Sequence, residues 1–180
     1  MSLNAVQQFV LKTLDQLSTT SLVSLGVPPV NAFITPPVFY DEATAPALYI
    51  WGSTGRGHRE TFPRVAGPTA PLSTAGTKSR RMTIDVWLSF ADSPDNPSAN
   101  DMFPVLIGAV LHALETVPVF DPSTGQAVQV TDPATGEVSQ ILEFAEDIDW
   151  DYSTVRALED QRFWRYVCLI RPVVEEWYFS

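Results

Sequence analysis

Hydrophobic and polar residues alternate most regularly near the middle of the chain, at residues 80–91. The apolar members of this stretch are Met82, Ile84, Val86, Leu88 and Phe90. Because successive side chains of a strand point to opposite faces, the alternation predicts a β-strand with one face on the core. Two further strands are predicted, one at residues 47–51, closed by Gly52, and a central one at residues 162–170, which Pro172 interrupts.

Apolar residues at intervals of three and four positions predict two amphipathic helices. The first helix covers residues 3–17. The second runs from a cap at Ser98 to Val117, with Pro104 in its first turn. The proline-rich residues 26–46 predict an extended connector with at most the character of an edge strand.

A short turn motif occurs twice before the last strand. Asp-Pro-Ser-Thr-Gly at 121–125 returns as Asp-Pro-Ala-Thr-Gly at 132–136, and each copy predicts a turn with its glycine in the left-handed conformation. The two turns predict a small β-meander insert at residues 119–152. Residues 1–180 are then a single domain of the α+β class, with a mainly antiparallel sheet and two amphipathic helices packed on one face.

Residues 52–79 match no regular pattern and form a predicted long loop. Six of the eleven Lys and Arg residues of the chain lie between positions 56 and 81. A loop of this length inside a compact domain is uncommon and is usually functional or disordered. Three interpretations are open: an unstructured surface loop, an arm that orders on a partner, or a nucleic-acid contact. We favour the arm, whose candidate interface residues are Arg56, Arg59, Arg64, Lys78 and Arg80.

The chain as a whole is acidic, with a formal net charge of −10 and an isoelectric point near 4.4. A free-standing protein that reads DNA grooves is usually basic, so this class is disfavoured. Acidic residues concentrate at positions 143–151, where the alternatives are a strand with a solvated or interface face and a Ca²⁺ or Mg²⁺ site. We favour the strand. Its candidate interface or lumen residues are Glu143, Glu146, Asp147 and Asp149.

Both charged regions fit an assembly protein. In a head-to-tail ring, the basic arm of one copy is expected to meet the acidic face of the next copy. The C-terminal residues Trp177, Tyr178 and Phe179 are a third interface candidate. Aromatic side chains at a terminus either fold back or dock on another chain, and they are favoured as interface anchors.

Catalytic chemistry has little support in the sequence. There is no phosphate-binding glycine loop and no nucleophile elbow, and neither His58 nor His112 belongs to a catalytic pattern. Cys168 lies in an apolar run and is interpreted as a small buried hydrophobe rather than a reactive thiol. We expect no enzyme activity, metal or cofactor. An enzyme or small-molecule-binding domain is the distant alternative.

The sequence shows neither the pattern of a signal peptide at residues 1–4 nor an apolar run long enough for a membrane span. A soluble protein made in a cytoplasm, without membrane partners, is therefore expected.

The order of these elements resembles that of the tail-terminator proteins of long-tailed bacteriophages, and residues 6–17, 47–51, 81–90 and 102–117 carry the resemblance. The resemblance implies a virion protein, assembled in the host cytoplasm, that forms a homo-oligomeric ring at the neck, usually a hexamer. Such a ring sits on the last ring of tail tube protein, stops tube growth and offers a surface to the head connector or stopper protein.

The resemblance also implies that DNA passes through the ring lumen without sequence-specific contact. Six copies would carry a formal charge of −60, six times −10, so an acidic lumen is expected to let DNA slide without sticking. The alternative is another neck component, either a head-closure or a head–tail joining protein.

Overall fold

A computed structural model describes residues 3–15, 30–36, 46–59, 77–92, 97–118, 122–126, 128–131, 136, 138–156 and 164–179. Two helices and six strands lie within these residues. In chain order they are α1 (Leu3–Asp15), β1 (Asn31–Phe33), β2 (Ala47–Arg59), β3 (Thr77–Asp92), α2 (Pro97–Glu115), β4 (Gln129–Thr131), β5 (Val138–Arg156) and β6 (Trp164–Phe179).

The strands form one sheet in the order β1-β2-β3-β6-β5-β4. Neighbouring strands are antiparallel except for β1 and β2, which are parallel. The structure therefore confirms an α+β fold with a mainly antiparallel sheet. It also confirms that the last strand is central, since β6 lies between β3 and β5. In its described residues, the proline-rich connector contributes one short edge strand, β1.

One face of the sheet is buried and is called here the covered face. Every second residue of β3 from Met82 to Phe90 is buried on this face, together with Ile170 and Val174 of β6. The alternating pattern of the sequence thus sets which face of β3 is buried. Burial of one such side chain contributes about 1.5–3 kcal/mol, so this face is the main source of stability.

Both helices pack on the covered face. Phe9 of α1 meets Phe144 of β5 edge-to-face, with ring centroids 5.1 Å apart. Phe103 of α2 lies 5.4 Å from Tyr166 of β6 between ring centroids. The buried residues of α1, α2 and the strands form one cluster, so the helices and the sheet share a single core.

The predicted loop at residues 52–79 is wrong at both of its ends. Strand β2 continues past Gly52 as far as Arg59, and β3 begins at Thr77. The ladder between the two strands extends to the pair Arg59 and Lys78. Residues 60–76, which include Arg64, lie outside the described residues.

The sequence predicts that β2 ends at Gly52, but the strand continues through this glycine. The β2–β3 register shifts between Ile50 and Ser53, and Gly52 within the shift has a φ of 88°. A glycine adopts this left-handed conformation at little cost, and a β-bulge bends a strand without ending it. A Cβ added at Gly52 would lie 3.1 Å from an Asp85 carboxylate oxygen, so the missing side chain also leaves room for Asp85.

The region predicted as a β-meander insert, residues 119–152, contains the expected hairpin of β4 and the start of β5. Gly125 and Gly136 have φ values of 65° and 72°, which confirms the left-handed turn positions. The acidic residues 143–151 form a strand, as predicted. That strand belongs to the main sheet, however, because the 19 residues of β5 pair along β6.

The interruption expected at Pro172 is also corrected, because β6 continues from Trp164 to Phe179. Pro172 is paired with Ile148, directly beside a register shift in β5. A proline has no N–H for the ladder and is tolerated where the neighbouring strand is irregular.

The second helix begins at Pro97, one residue ahead of the predicted cap. Pro104 therefore lies inside α2 rather than in its first turn, where its missing N–H leaves a helical hydrogen bond unmade.

Candidate subunit interface

Four of the five residues predicted for the basic arm lie at one end of the sheet rather than on a free loop. Arg56 and Arg59 are in β2, and Lys78 and Arg80 are in β3. In the ladder Arg56 is paired with Arg81, and Arg59 with Lys78. These pairs concentrate positive charge at this end of the β2–β3 hairpin. Like charges at paired positions repel each other, so the pairs do not stabilise the hairpin.

Strand β3 meets acidic residues of its own chain on its other side. Arg80 is paired with Glu176 of β6, and Arg81 with Glu175. Opposite charges at paired positions contribute about 0.2–1 kcal/mol. Part of the basic arm therefore has an acidic neighbour within the chain, and the β2 arginines lie one strand further out.

The four predicted acidic residues all lie in β5. Glu143 is paired with Glu175, while Glu146 and Asp147 fall in the irregular stretch between residues 144 and 148. The side chain of Asp149 is exposed. These residues therefore occupy the flank of the sheet opposite to the β2 arginines.

The C-terminal aromatic residues are the end of a strand. Trp177, Tyr178 and Phe179 belong to β6 and are paired with residues 77–79 of β3. Of the two alternatives for this segment, the structure shows folding back onto the chain's own sheet.

The two outermost long strands carry opposite charges. Strand β2 contains two arginines and no acidic residue. Strand β5 contains five acidic residues and one arginine. Strands β3 and β6 separate them. One flank of the sheet is thus basic and the other acidic, and identical copies placed side by side would bring unlike flanks together.

Exposed aromatic side chains on the outer strands are a feature that the sequence analysis did not single out. The exposed fractions are 46% for Phe33, 47% for Trp51, 50% for Trp150 and 53% for Tyr152. Trp150 and Tyr152 stack with an interplanar angle of 17°. Among the described side chains, no exposed large apolar residue lies on β3 or β6. For Trp150 and Tyr152, the alternation with Asp149 and Asp151 was the available signal.

The face of the sheet away from the helices, called here the opposite face, carries a row of large side chains. Phe33, Tyr49, Trp87 and Leu169 occupy paired positions on four successive strands. The rings of Phe33 and Tyr49 stack with centroids 6.0 Å apart. Phe33 is exposed and the other three members of this row are partly buried, whereas the core of the covered face is buried.

A charged row lies next to the aromatic row. The Arg171 Nε lies 3.4 Å from an Asp85 carboxylate oxygen, and both side chains are partly exposed. Asp149 is paired with Arg171 on the other side. Arg171 thus separates two carboxylates on the opposite face.

The described residues contain no group of three or more His, Cys, Asp or Glu side chains that fits a metal ion. Cys168 is fully buried, as predicted for a small core residue. Burial first, and the negative charge of Asp151 second, raise the pKa of the Cys168 thiol to about 12, against the effect of a backbone hydrogen bond at Asp151. A thiol with so high a pKa is a poor nucleophile at neutral pH. His112 is exposed on α2, and the side chain of His58 lies outside the described part of the chain.

Neither described helix has the combination of length and apolar character that crossing a bilayer requires. In comparisons with known proteins, no protein-family model and no curated protein sequence matches this chain.

Proposed function

We propose that this chain is a structural virion protein of the tail-terminator kind. Copies assemble head-to-tail into a ring, the ring caps the tail tube and stops its growth, and the exposed side of the ring receives the head connector. The observation that carries the proposal is the placement of a basic and an acidic outer strand at opposite flanks of one sheet. Unlike flanks on one chain favour heterologous contacts, which generate a ring when the rotation between copies closes.

The exposed aromatics on the outer strands support the same proposal. Aromatic residues are enriched at protein interfaces and often supply most of the binding energy. Trp51 lies on the basic flank, and Trp150 and Tyr152 lie on the acidic flank. Each flank thus offers an apolar anchor beside its charges.

The decisive experiment measures tail tube length. Purified chain is examined by mass photometry and negative-stain microscopy, alone and with the tail tube protein encoded by the same genome. We expect rings of uniform copy number and tubes of limited length with a ring at one end. Rings that leave tube length uncontrolled would contradict the terminator role and favour the head-closure or head–tail joining alternative.

A charge reversal on the basic flank tests the assembly step. Arg56→Glu is expected to raise the ring dissociation constant about tenfold, which corresponds to about 1.4 kcal/mol per interface. The monomer is expected to keep its stability, because position 56 is paired with Arg81 and the substitution replaces a like-charge pair by an opposite one. Lys12→Glu, at an exposed site on α1, is the matched control and should leave assembly unchanged. Equal ring yields for both variants would remove the basic flank from the interface.

A further inference from the structure

Both outer long strands have an outer edge that is mostly unpaired within the described residues. Strand β1 covers only residues 47–49 of β2, and β4 covers only residues 138–140 of β5. One further bond joins the Ile141 N–H to the Val128 carbonyl. Residues 50–59 and 142–156 therefore present backbone N–H and C=O groups without a described strand beside them. Such edges are templates for pairing with another chain.

We propose that the outer edge of β2 in one copy pairs with the outer edge of β5 in the next, so that the sheet continues from copy to copy. This inference rests on the proposed ring of copies and names the contact that builds it. Each step from β2 through β3 and β6 to β5 is antiparallel, so β2 and β5 run in opposite directions. Copies related by a simple rotation would therefore pair β2 and β5 antiparallel, as the four long strands pair within one copy.

The regular parts of the two edges are similar in length. Beyond its bulge, β2 is regular over residues 53–59, and beyond its own irregular stretch, β5 is regular over residues 148–156. A ladder of about seven residues is about 23 Å long at the usual rise per residue, which exceeds the length of a typical strand. The bulges, which protect sheet edges from pairing, lie outside both segments.

Charge selects which edges pair. Two β2 edges brought together would place arginines against arginines, and two β5 edges would place carboxylates against carboxylates. Both symmetric contacts are repulsive, whereas a β2 edge against a β5 edge is attractive. The edges therefore favour the head-to-tail arrangement and disfavour a two-fold dimer.

The two faces of the sheet restrict the register. Positions 54 and 56 lie on the opposite face, because they are paired with Thr83 and Arg81, and position 55 lies on the covered face, because it is paired with Met82. Asp149 and Asp151 lie on the opposite face, since their partners are Arg171 and Leu169. A continuous sheet keeps each face together, so a one-residue slip is excluded.

One register satisfies face and charge and also keeps all of residues 53–59 against the regular part of β5. It sets Arg56 against Asp151 and His58 against Asp149 of the next copy. The same register sets Gly55 and Gly57 against Tyr152 and Trp150, whose exposed rings lie on the covered-face side of β5. Aromatic rings beside edge glycines are a known stabilising arrangement in sheets, since each ring covers backbone that glycine leaves bare.

Disulfide cross-linking tests this register. In it, Thr54 of one copy faces Ser153 of the next, and both positions lie on the opposite face. Thr54→Cys combined with Ser153→Cys in the full chain is expected to give, on oxidation, a ladder of covalent oligomers that a reductant abolishes. The matched control combines Thr54→Cys with Thr154→Cys, because position 154 is paired with Tyr166 on the covered face. Cys168 is buried and is common to both variants.

The first variant is expected to give about tenfold more cross-linked oligomer than the control, because disulfides form only where the Cβ atoms point toward each other. The cysteine at position 54 can also be combined with a cysteine at position 151 or 155, which tests the neighbouring registers. Rings and capped tubes that give no cross-link with a cysteine at 151, 153 or 155 would overturn the edge pairing and leave the proposed function intact. A cross-linked ladder from a chain that does not cap tubes would support the edge pairing and reject the terminator role. A ladder of equal strength in the control would also overturn the pairing.

Discussion

The two faces of the sheet differ in burial although the same strands supply both. On the covered face, Ile84, Leu88 and Ile170 are fully buried beneath the helices. On the opposite face, Trp87 and Leu169 occupy the adjacent positions of β3 and β6 and are only half-buried. The difference teaches that the covered face stabilises the single chain. Within the part of the chain that the structure describes, neither helix lies on the opposite face, which leaves that face and the two outer edges for contacts between chains.

The largest expected effect comes from truncating one leucine on each face of the sheet. Leu88→Ala on the covered face is expected to lower the free energy of unfolding by about 2–5 kcal/mol, because it removes buried contacts and leaves a cavity. Leu169→Ala on the opposite face is the matched control, with an expected loss of about 1 kcal/mol, since its side chain is already partly solvated. Leu88 is paired with Cys168 and Leu169 with Trp87, so the two leucines lie at neighbouring positions of the β3–β6 ladder.

The measurement is urea unfolding followed by tryptophan fluorescence, at protein concentrations where the midpoint is independent of concentration, so that assembly adds no stability. Equal losses for the two leucines would show that the opposite face is as well packed as the covered face and would break the comparison.

The second test uses the ionisation of Cys168 on the covered face. Burial and the charge of Asp151 raise the pKa of this thiol from 9.0 to about 12. A thiol that stays protonated in the folded chain and ionises in the unfolded chain stabilises the fold below pH 9. That stability is lost as the pH rises from 9 toward 12. At pH 10 the expected loss is about 1 kcal/mol.

The matched variant is Cys168→Ala, whose cavity lowers stability at every pH but whose side chain does not ionise. The stability advantage of the native chain over the variant should shrink by about 1 kcal/mol between pH 8 and pH 10, measured by urea unfolding. A constant advantage across this range would mean that Cys168 ionises equally in both states and is not shielded by the core.

The covered face is also the part of the fold that the sequence predicts best. Apolar alternation in β3 and the three-and-four spacing in α2 follow directly from burial on one side. The pattern fails in β5. Ile141 and Phe144 belong to the core and Ile148 packs against it, yet these residues follow one another at spacings of three and four rather than two. Register shifts between these residues change the phase of the strand, so the alternation is broken although the strand continues.

The outer edge of β2 was missed for a different reason. Residues 53–59 read Ser-Thr-Gly-Arg-Gly-His-Arg and contain no apolar side chain. Their strand conformation comes from backbone pairing with β3, which leaves no trace in a hydrophobic pattern. The basic and acidic candidates were identified by composition, but their placement on opposite flanks depends on the strand order, which involves long-range pairing.

The smallest expected effect concerns the ion pair of Arg171 and Asp85 on the opposite face. Side-chain exposures of 45% for Arg171 and 33% for Asp85, with an Nε–Oδ1 distance of 3.4 Å, leave the pair well solvated. A double-mutant cycle with Arg171→Gln and Asp85→Asn is therefore expected to give a coupling free energy of about 0.2–1 kcal/mol. Adding salt screens exposed charges, so the coupling should decrease when the cycle is repeated in 1 M NaCl, where the screening length is about 3 Å.

Arg171 is also paired with Asp149 on β5, so Arg171→Gln alone should cost more than Asp85→Asn alone, because it leaves two carboxylates without the cation between them. A coupling well above 1 kcal/mol that is insensitive to salt would indicate a desolvated pair. The opposite face would then be covered in the single chain, and its availability for contacts between copies would have to be abandoned.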